Sequence, residues 1–201
     1  MDHLEQDNSV LLRGTPMGEA RYSHASRAAR FYTLPLEVRR LSGAADRLNV
    51  TLRESMLGDV AGCRHLCVAG ELRTFNNRAG EWPRLVISVF ARRIAAEDGE
   101  DENLVLLRGT LCRRPNPRLT PMGREICDLL LAVNRRYGRS DYLPCICWGS
   151  VAREAQGWDV GTRLALRGRI QSRRYLKQTE IGAEERTAFE VSVAEAEKMS
   201  F

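Results

Sequence analysis

The chain contains one strand-like segment twice. Residues 8–15 read Asn-Ser-Val-Leu-Leu-Arg-Gly-Thr and residues 103–110 read Asn-Leu-Val-Leu-Leu-Arg-Gly-Thr, at an offset of 95 residues. An apolar run that ends in Arg-Gly and continues into a polar turn is typical of a strand that opens a folding unit. Two copies separated by the length of a small domain predict two similar domains in tandem.

The repeat continues beyond its opening strand. The aligned segments are 38–40 with 133–135 and 46–55 with 141–150 at an offset of 95, 70–72 with 168–170 at 98, and 87–89 with 191–193 at 104. Because the offset grows only late in the copies, the insertions are expected in the loop between the fourth and fifth strands. Loops tolerate insertions that strands do not.

Alternation of apolar and polar residues predicts five short strands in each copy. They cover 8–14, 30–39, 47–53, 65–75 and 84–94 in the first copy, and 103–112, 125–135, 141–148, 163–174 and 186–196 in the second. Stretches that could form one or two helical turns follow the third strand of each copy, at 54–61 and 150–156. This order is the plan of an OB-fold, a small five-stranded Greek-key barrel.

The predicted fold class is therefore all-β, with two tandem OB-folds that each have a short helix after strand three. The acidic segment 97–102 cannot belong to a core and is taken as the linker. The predicted domains are 1–96 and 103–201.

The excess positive charge lies in the second copy. Residues 1–102 carry 14 Lys+Arg and 15 Asp+Glu, whereas residues 103–201 carry 17 and 11. Nearly all of these cations are arginine, which pairs with phosphate through two hydrogen bonds and stacks on rings. A polyanionic partner is therefore expected at the second copy.

Several function classes are not predicted. No apolar run approaches the ~20 residues that span a bilayer, and the polar N-terminus does not resemble a signal peptide, so a cytoplasmic protein without membrane contact is expected. The six cysteines and three histidines show no metal-site spacing, so no metal and no cofactor are expected. No nucleophile, base and orienting group occur together, so no enzymatic activity is expected.

An aromatic strand is predicted at 141–148. Alternation places Tyr142, Pro144, Ile146 and Trp148 on one face, and the interior face is formed by Leu143, Cys145 and Cys147. Two exposed rings on a barrel strand form a platform on which unpaired bases stack. The alternative is that Trp148 packs under the helix as part of the core, and this segment alone does not decide between them.

An arginine-rich strand follows at 163–174. Leu164, Leu166 and Ile170 share one face, and the opposite face and the loop after it carry Arg163, Arg167, Arg169, Gln171, Arg173, Arg174 and Tyr175. Such a face is a groove for a polyanion, although a merely solvated face is the usual alternative. Weaker candidates for the same basic rim are Arg124, Arg135, Arg136 and Tyr137.

The second copy resembles the bacterial single-stranded DNA-binding proteins. The resemblance is carried by residues 130–135, 141–148, 168–175 and 186–191, in order and over about 75 residues. It implies sequence-independent binding of single-stranded DNA in replication, recombination or repair at the nucleoid, with Tyr142 and Trp148 at stacking positions. The tandem arrangement is similar to a two-domain form of some clostridial-type bacteria. Since the family usually presents four OB-folds per assembly, it also implies a homodimer.

The first copy departs from this pattern. Arg47 stands where Tyr142 does, and Arg53 stands where Trp148 does. Phe75 and Trp82 flank a hairpin that could still contact DNA, so these four residues are weaker candidates. Phe31 and Tyr32 are expected in a core or an interface. The family's Gly/Pro/Gln-rich tail with an acidic tip has no counterpart here, so recruitment of other proteins through a tail is not predicted.

These observations predict binding of single-stranded DNA through base stacking and arginine–phosphate contacts, mainly by residues 103–201. One alternative is an OB-fold scaffold for protein interactions with weak nucleic-acid binding. The other is an RNA-binding OB protein, because stacking does not distinguish ribose from deoxyribose.

Overall fold

The structure, a computed structural model, describes residues 7–77, 84–135, 138–179 and 182–200. The strands of the first copy are β1 (Asn8–Pro16), β2 (Arg21–Ser26), β3 (Ala29–Arg39), β4 (Ala45–Arg53), β5 (Leu66–Asn77) and β6 (Arg84–Ala96). Those of the second are β7 (Glu102–Leu111), β8 (Asn116–Leu119), β9 (Glu125–Asn134), β10 (Ser140–Trp148), β11 (Arg163–Thr179) and β12 (Gly182–Lys198). The helical segments are a 3-10 turn (Glu54–Met56), α1 (Leu57–Val60) and α2 (Gly149–Ala155).

The strands of each copy pair in a closed circuit. In the first copy, β1 pairs with β3, β3 with β4, β4 in parallel with β6, β6 with β5, and β5 with β1 again. The second copy repeats this order with β7, β9, β10, β12 and β11. We call these circuits the first and second barrels. The fold is all-β and of the OB type, as expected, and no helix in the described ranges is long and apolar enough to cross a membrane.

The barrel interiors are filled by alternate residues of each strand. Leu12 of β1 and Leu107 of β7 are both buried, and burying one such side chain contributes roughly 1.5–3 kcal/mol. Cys145 and Cys147 of β10 point inward as expected and are free thiols. Burial raises the pKa of the Cys147 thiol to about 12, so this thiol stays protonated and behaves as a small apolar side chain.

The asparagine of the repeated segment fastens the opening strand of each barrel. The Asn8 amide donates to the carbonyl oxygen of Leu72 and accepts from its N–H, both at 2.8 Å. Asn103 makes the same pair of hydrogen bonds with Ile170, at 2.7 and 3.0 Å. Buried backbone groups beyond the end of a strand pairing need such partners, which explains why this residue recurs in both copies.

The glycine of the repeated segment has a steric role. A Cβ atom at Gly14 would collide with the carbonyl oxygen of Glu37, and one at Gly109 would collide with that of Ala132. Glu37 and Ala132 lie on β3 and β9, the strands that the opening strand must approach to close the circuit. Glycine therefore lets the first strand bend across its neighbour without a clash.

The structure differs from the sequence prediction in three places. The short strands β2 and β8 were not predicted, and β11 and β12 extend well beyond the predicted ends at 174 and 186. The described side chains of β2, of β8 and of residues 173–178 are exposed. These segments therefore lack the alternation of buried and exposed positions on which the prediction depended.

The third difference is the alignment of the last strand. Val50 of β4 pairs with Val89, and Cys145, 95 residues after Val50, pairs with Val191. Val89 is therefore equivalent to Val191 at an offset of 102, and the predicted offset of 104 is wrong. Because side chains alternate with a period of two, a slip of two residues leaves the inward-facing pattern unchanged.

The two barrels are joined through their opening strands. β1 and β7 pair antiparallel, with Val10 opposite its own equivalent, Val105. The pairs on either side, Ser9 with Leu106 and Leu11 with Leu104, are exchanged by the 95-residue repeat. The contact therefore has an approximate two-fold symmetry, as in an isologous dimer interface.

The acidic segment between the barrels is fastened to the first barrel. Arg13 Nη2 lies 2.8 Å from Glu97 Oε1, and the Asp101 carboxylate accepts from the backbone N–H of Arg39 at 2.6 Å. The ring of His65 lies between these two acids, with Nδ1 2.7 Å from the carbonyl oxygen of Glu97 and Nε2 2.8 Å from Asp101 Oδ1. The predicted linker is thus an ordered part of the structure.

We expect the stability of the protein to depend on the protonation of His65. Both of its partners are acceptors, so only the imidazolium donates to both. The hydrogen bond to Asp101, the bond to the Glu97 carbonyl and the nearby charges of Asp101 and Asp98 raise the pKa of His65. The stabilisation is full below the unfolded-state pKa of about 6.5. It is lost as the pH rises through the higher folded-state pKa.

Urea unfolding of the protein and of His65→Gln, between about pH 6 and 9, tests this dependence. The free energy of unfolding of the unsubstituted protein should fall across this range, and His65→Gln should lack that component. Parallel pH profiles for the two proteins would show that His65 does not contribute.

Candidate nucleic-acid interface

An open cavity of about 750 Å³ lies beside the outer face of β11. The second barrel contributes most of its wall, including Arg124, Trp148, Arg167, Arg169, Gln171 and Arg173. Arg40 of the first barrel also lines it. Trp148 of the predicted aromatic strand and three arginines of β11 therefore line one cavity, which Arg40 of the other barrel also lines, whereas Tyr142 does not line it.

Trp148 stands at the end of β10, immediately before α2. Its ring is half-buried and its Nε1 donates to the hydroxyl of Ser192 on β12 at 3.2 Å. The fully buried tryptophan of this barrel is Trp158, which is 2% exposed. Trp148 is thus held at the wall of the cavity by a hydrogen bond and keeps part of its surface accessible.

Tyr142 lies six residues earlier on the same strand and is 50% exposed. Its backbone N–H donates to the hydroxyl of Thr74 in the first barrel at 3.2 Å, so its position is fixed from both barrels. Ile146, expected on the same outer face, is buried instead. The open part of this face therefore lies at its two ends, where the rings are.

The exposed arginines of β11 make few strong contacts. Arg167 Nη1 lies 2.9 Å from Glu195 Oε1, and Arg174 Nη1 lies 3.4 Å from Glu185 Oε1. Both are surface ion pairs, which contribute little and exchange readily. The Arg173 guanidinium lies over the ring of Tyr175 with its carbon 5.9 Å from the centroid. Arg163 and Arg124 are exposed as well. These guanidinium groups are available to phosphates.

Arg169 differs from its neighbours on β11. It is half-buried, its Nε–H has no hydrogen-bond partner among the described residues, and Nη2 reaches only Gln171 Oε1 at 3.4 Å. Burial and the nearby charge of Arg40 lower its pKa. A partly buried cation without a carboxylate is unfavourable. The site therefore has an unmet preference for an anion.

Arg135 does not lie on the basic rim where it was predicted. Its Nε donates to Asp141 Oδ2 at 2.6 Å, and its Nη2 donates both to Asp141 Oδ1 and, at 3.0 Å, to the carbonyl oxygen of Thr74. Asp141 is fully buried, which favours a higher pKa, but the hydrogen bonds from Arg135 and Thr74 outweigh burial and lower its pKa. Arg135 is thus engaged at the junction between the barrels.

The first barrel has an equivalent arrangement that sequence reasoning missed. Arg40 donates to the buried carboxylate of Asp46 through Nε at 2.7 Å and Nη2 at 2.5 Å, and Asp46 Oδ1 accepts from the N–H of Ser172 at 2.9 Å. The arginine precedes the aspartate by six residues in both copies, and both pairs obey the 95-residue offset. That recurrence was the available signal.

The candidates of the first barrel are dispersed. Arg47 is exposed and lies 3.5 Å from Glu37, and its N–H donates to the Ser172 hydroxyl at 3.0 Å. Phe75 is exposed on β5. The structure does not bring either of them to the cavity of the second barrel. Trp82, Arg136 and Tyr137 lie outside the described residues.

Arg53, at the position equivalent to Trp148, lies over an aromatic ring. Its guanidinium carbon is 6.0 Å from the centroid of Phe90, and that of Arg92 is 5.7 Å from it. By the corrected offset, Phe90 is equivalent to Ser192, the hydrogen-bond partner of Trp148. The first barrel therefore has a ring at this place, but on the other strand and already in contact with two of its own cations.

Phe31 and Tyr32, expected in a core or an interface, are half-buried on β3. Phe31 stacks on His24 of β2 at 5.0 Å and lies 5.9 Å from Phe90, and Tyr32 meets Tyr22 edge to face at 5.8 Å. They thus fasten the β2 hairpin to the barrel.

Within the described ranges no three His, Cys, Asp or Glu residues are grouped as metal ligands would be.

Comparison with known proteins agrees with this architecture. Residues 102–199 match the model of the single-strand binding protein family. The single-stranded DNA-binding protein 2 of Listeria innocua is 34% identical over 80 residues, which cover 36% of this chain and 50% of that protein. The single-stranded DNA-binding protein of Halalkalibacterium halodurans is also 34% identical over 80 residues, covering 36% and 48%. The chain spans about half the length of these curated relatives.

Among solved structures, the wild-type single-stranded DNA binding protein from Thermus aquaticus matches with a TM-score of 0.77 at 24% identity, over 96% of this chain and 93% of that one. A deletion mutant of the same protein gives the same TM-score and covers 95% of its chain. This likeness concerns the fold, and it extends over nearly the whole chain. Over residues 102–199, which form the second barrel, the chain is similar to the single-strand binding protein family.

Proposed function

We propose that this protein binds single-stranded DNA without sequence preference, mainly through its second barrel. One observation carries the proposal: Trp148 and Arg169 border the same open cavity. The ring of Trp148 is accessible there, and the Arg169 guanidinium lacks a carboxylate partner among the described residues. Unpaired bases stack on such rings, and guanidinium groups bind the phosphates between them. Double-stranded DNA presents no base face that could stack there.

The proposed mechanism is passive. Bases stack on Trp148 and Tyr142, and the arginines of β11 displace counterions from the backbone. Neither contact reads the edges of bases, so binding tolerates any sequence. Such an activity serves replication, recombination or repair by keeping exposed strands covered, in the cytoplasm at the nucleoid.

We further propose two OB-fold domains, 1–96 and 103–201, with 97–102 as the segment between them. The closed pairing circuits and the repeat support this division. Two such chains would present four OB-folds, and a homodimer is therefore the proposed assembly. Sedimentation of the protein at micromolar concentration tests the assembly separately from DNA binding.

Titration with an oligothymidine tests the DNA-binding proposal. Tryptophan fluorescence should be quenched as Trp148 stacks, and the logarithm of the association constant should fall with the logarithm of salt concentration by about 0.7 for each phosphate neutralised. Duplex DNA should bind far more weakly. Tighter binding of oligouridine than of oligothymidine would favour an RNA ligand, and absence of binding at low salt would contradict the proposal and favour a protein-interaction scaffold.

A further inference from the structure

We propose that Arg169 of the second barrel and Arg40 of the first hold one backbone phosphate between them, in a site that we call the seat. At the equivalent position of the first barrel, a carboxylate of the chain itself, Glu71, takes the place of the ligand. The proposal rests on the proposed function and adds to it a defined phosphate site made by both barrels. It also explains why, among the described residues, the second barrel offers such a site while the equivalent position of the first barrel is already filled.

The two arginines face the same cavity with donors unused. Asp46 occupies Nε and Nη2 of Arg40, and Nη1 makes no hydrogen bond to a described residue. Arg169 has only the long contact of Nη2 with Gln171, whose own amide donates to Glu190 at 2.8 Å. A phosphate carries several acceptor oxygens at the spacing that guanidinium donors match. It would therefore satisfy groups from both barrels at once.

Electrostatics favours occupation of the seat. Arg40 and Arg169 carry like charges, and the lowered pKa of Arg169 reflects its burial and the proximity of Arg40. An anion placed between the two groups removes the repulsion and replaces the water that Arg169 has lost. Asp46 neutralises only part of this charge, because one carboxylate faces the two positive charges of Arg40 and Arg169.

In the first barrel, the position equivalent to Arg169 holds a carboxylate that is already paired with arginines. Glu71 is equivalent to Arg169 at an offset of 98. Its Oε1 accepts from Arg92 through Nε at 2.8 Å and Nη2 at 2.5 Å, and its Oε2 is paired with Arg73. Arg73 also donates to Asp141 at 3.1 Å. Here an intramolecular carboxylate does what a phosphate would do in the second barrel.

The setting of the seat suits a nucleotide chain better than a free anion. Trp148 borders the same cavity, so a base and the adjoining phosphate could be held together. The cavity is open and large enough for a continuing strand. Its position at the junction would lead that strand from the second barrel toward Arg40 of the first.

Substitutions at Arg169 test the seat. Arg169→Met removes one partly buried charge, and Arg169→Glu installs the residue that the first barrel tolerates at this place. The matched control is Arg153→Met, which removes an exposed arginine of α2 that pairs with Glu125 and does not line the cavity. Each variant is titrated with a fluorescein-labelled oligothymidine at several salt concentrations, and urea unfolding confirms that it is folded.

We expect Arg169→Met to weaken binding about tenfold at low salt, as for the loss of one charge-assisted contact, and to reduce the salt slope by about 0.7. Arg169→Glu should weaken binding further, and Arg153→Met should change it less than about twofold. If the unsubstituted protein binds and Arg169→Met matches Arg153→Met in affinity and slope, the seat is refuted and the proposed function stands. If the unsubstituted protein does not bind, the proposed function itself fails.

The contribution of Arg40 is tested by a double-mutant cycle. Arg40→Lys keeps a cation beside Asp46 but has one ammonium group in place of the several N–H donors of a guanidinium, and it should weaken binding two- to fivefold. The loss should be smaller when Arg169→Met is already present, because both residues hold one phosphate. Should this variant not fold, Arg40→Gln combined with Asp46→Asn replaces the ion pair as a unit. Fully additive effects would show that the two arginines do not share a ligand.

Discussion

Replacing Asp141 with asparagine is expected to lower the free energy of unfolding by about 3–5 kcal/mol. The Asp141 carboxylate is fully buried where the barrels meet, and it accepts hydrogen bonds from Arg135, Arg73 and Thr74. Asparagine is neutral and has a single acceptor oxygen, so it would leave Arg135 without its carboxylate partner and would leave Arg73 with Glu71 alone. Urea unfolding at pH 7 measures the loss.

The matched control is Asp128→Asn. Asp128 also forms an arginine pair, with Nε of Arg118 2.6 Å from its Oδ2, but the Arg118 side chain is exposed and that of Asp128 is partly exposed. Exposed pairs contribute up to about 1 kcal/mol, so this variant should unfold almost as the unsubstituted protein does. Equal losses for Asp128→Asn and Asp141→Asn would show that the junction network adds nothing beyond an ordinary surface ion pair.

The Asp141 network also has a defined pH dependence. Its pKa is lowered in the folded protein, so its stabilisation is present above the unfolded-state value of about 3.9. The stabilisation is lost as the pH falls through the lower folded-state pKa. Asp141→Asn should therefore be less stable than the unsubstituted protein at neutral pH, and the difference should shrink in acid.

Alternation in the sequence was sufficient to predict the barrel strands because their inner faces are strongly apolar. The predicted strand at 47–53 is part of β4, for example, where Leu48, Val50 and Leu52 are buried in turn. Alternation does not reveal strands whose side chains are exposed on both faces, such as β2 and the end of β11. Alternation also does not fix the repeat offset that aligns β6 with its equivalent, β12, because a shift of two residues preserves the alternation.

The candidate site was predictable where one strand carries it. Tyr142 and Trp148 lie on one strand, and the arginines of β11 lie on another, so local spacing brings each set to a common face. Arg40 was not predictable in this way, because it reaches the cavity from the other barrel. For Arg135, the sequence shows a cation but not the buried Asp141 that folding places against it, so the sequence predicts a place on the rim that the structure does not show.

The internal comparison of the barrels separates fold from function within one chain. Both keep the buried aspartate with its arginine six residues earlier, and both keep the asparagine and glycine that close the circuit. These shared residues hold the barrels and their junction together. Two positions at the proposed ligand cavity differ from their counterparts in the first barrel, namely Trp148 from Arg53 and Arg169 from Glu71. In the first barrel Glu71 is paired with Arg73 and Arg92, and Arg53 lies over the ring of Phe90, which leaves less for a ligand to gain.

Truncation of Trp148 to alanine is expected to weaken binding of an oligothymidine by about 1–3 kcal/mol, which corresponds to about a 5- to 150-fold rise in Kd. The ring is half-buried at the cavity and held by its hydrogen bond to Ser192, so it is already positioned to stack and little is lost in ordering it. Tyr142→Ala should give a loss within the same range because its ring is half exposed on the same strand. The combined variant should lose more than either single variant.

The measurement must not depend on the residue that is removed. Anisotropy of a fluorescein-labelled oligothymidine is therefore used, since Trp148 is the expected reporter and the buried Trp158 would report little. Trp148→Phe is the matched control: it keeps a stacking ring but cannot donate to Ser192, so it should retain most of the affinity. Stacking, and not the hydrogen bond to Ser192, is proposed to hold the base. If Trp148→Phe and Trp148→Ala weakened binding equally, the stacking role of the Trp148 ring would be refuted. Unchanged affinity in a folded Trp148→Ala would do the same.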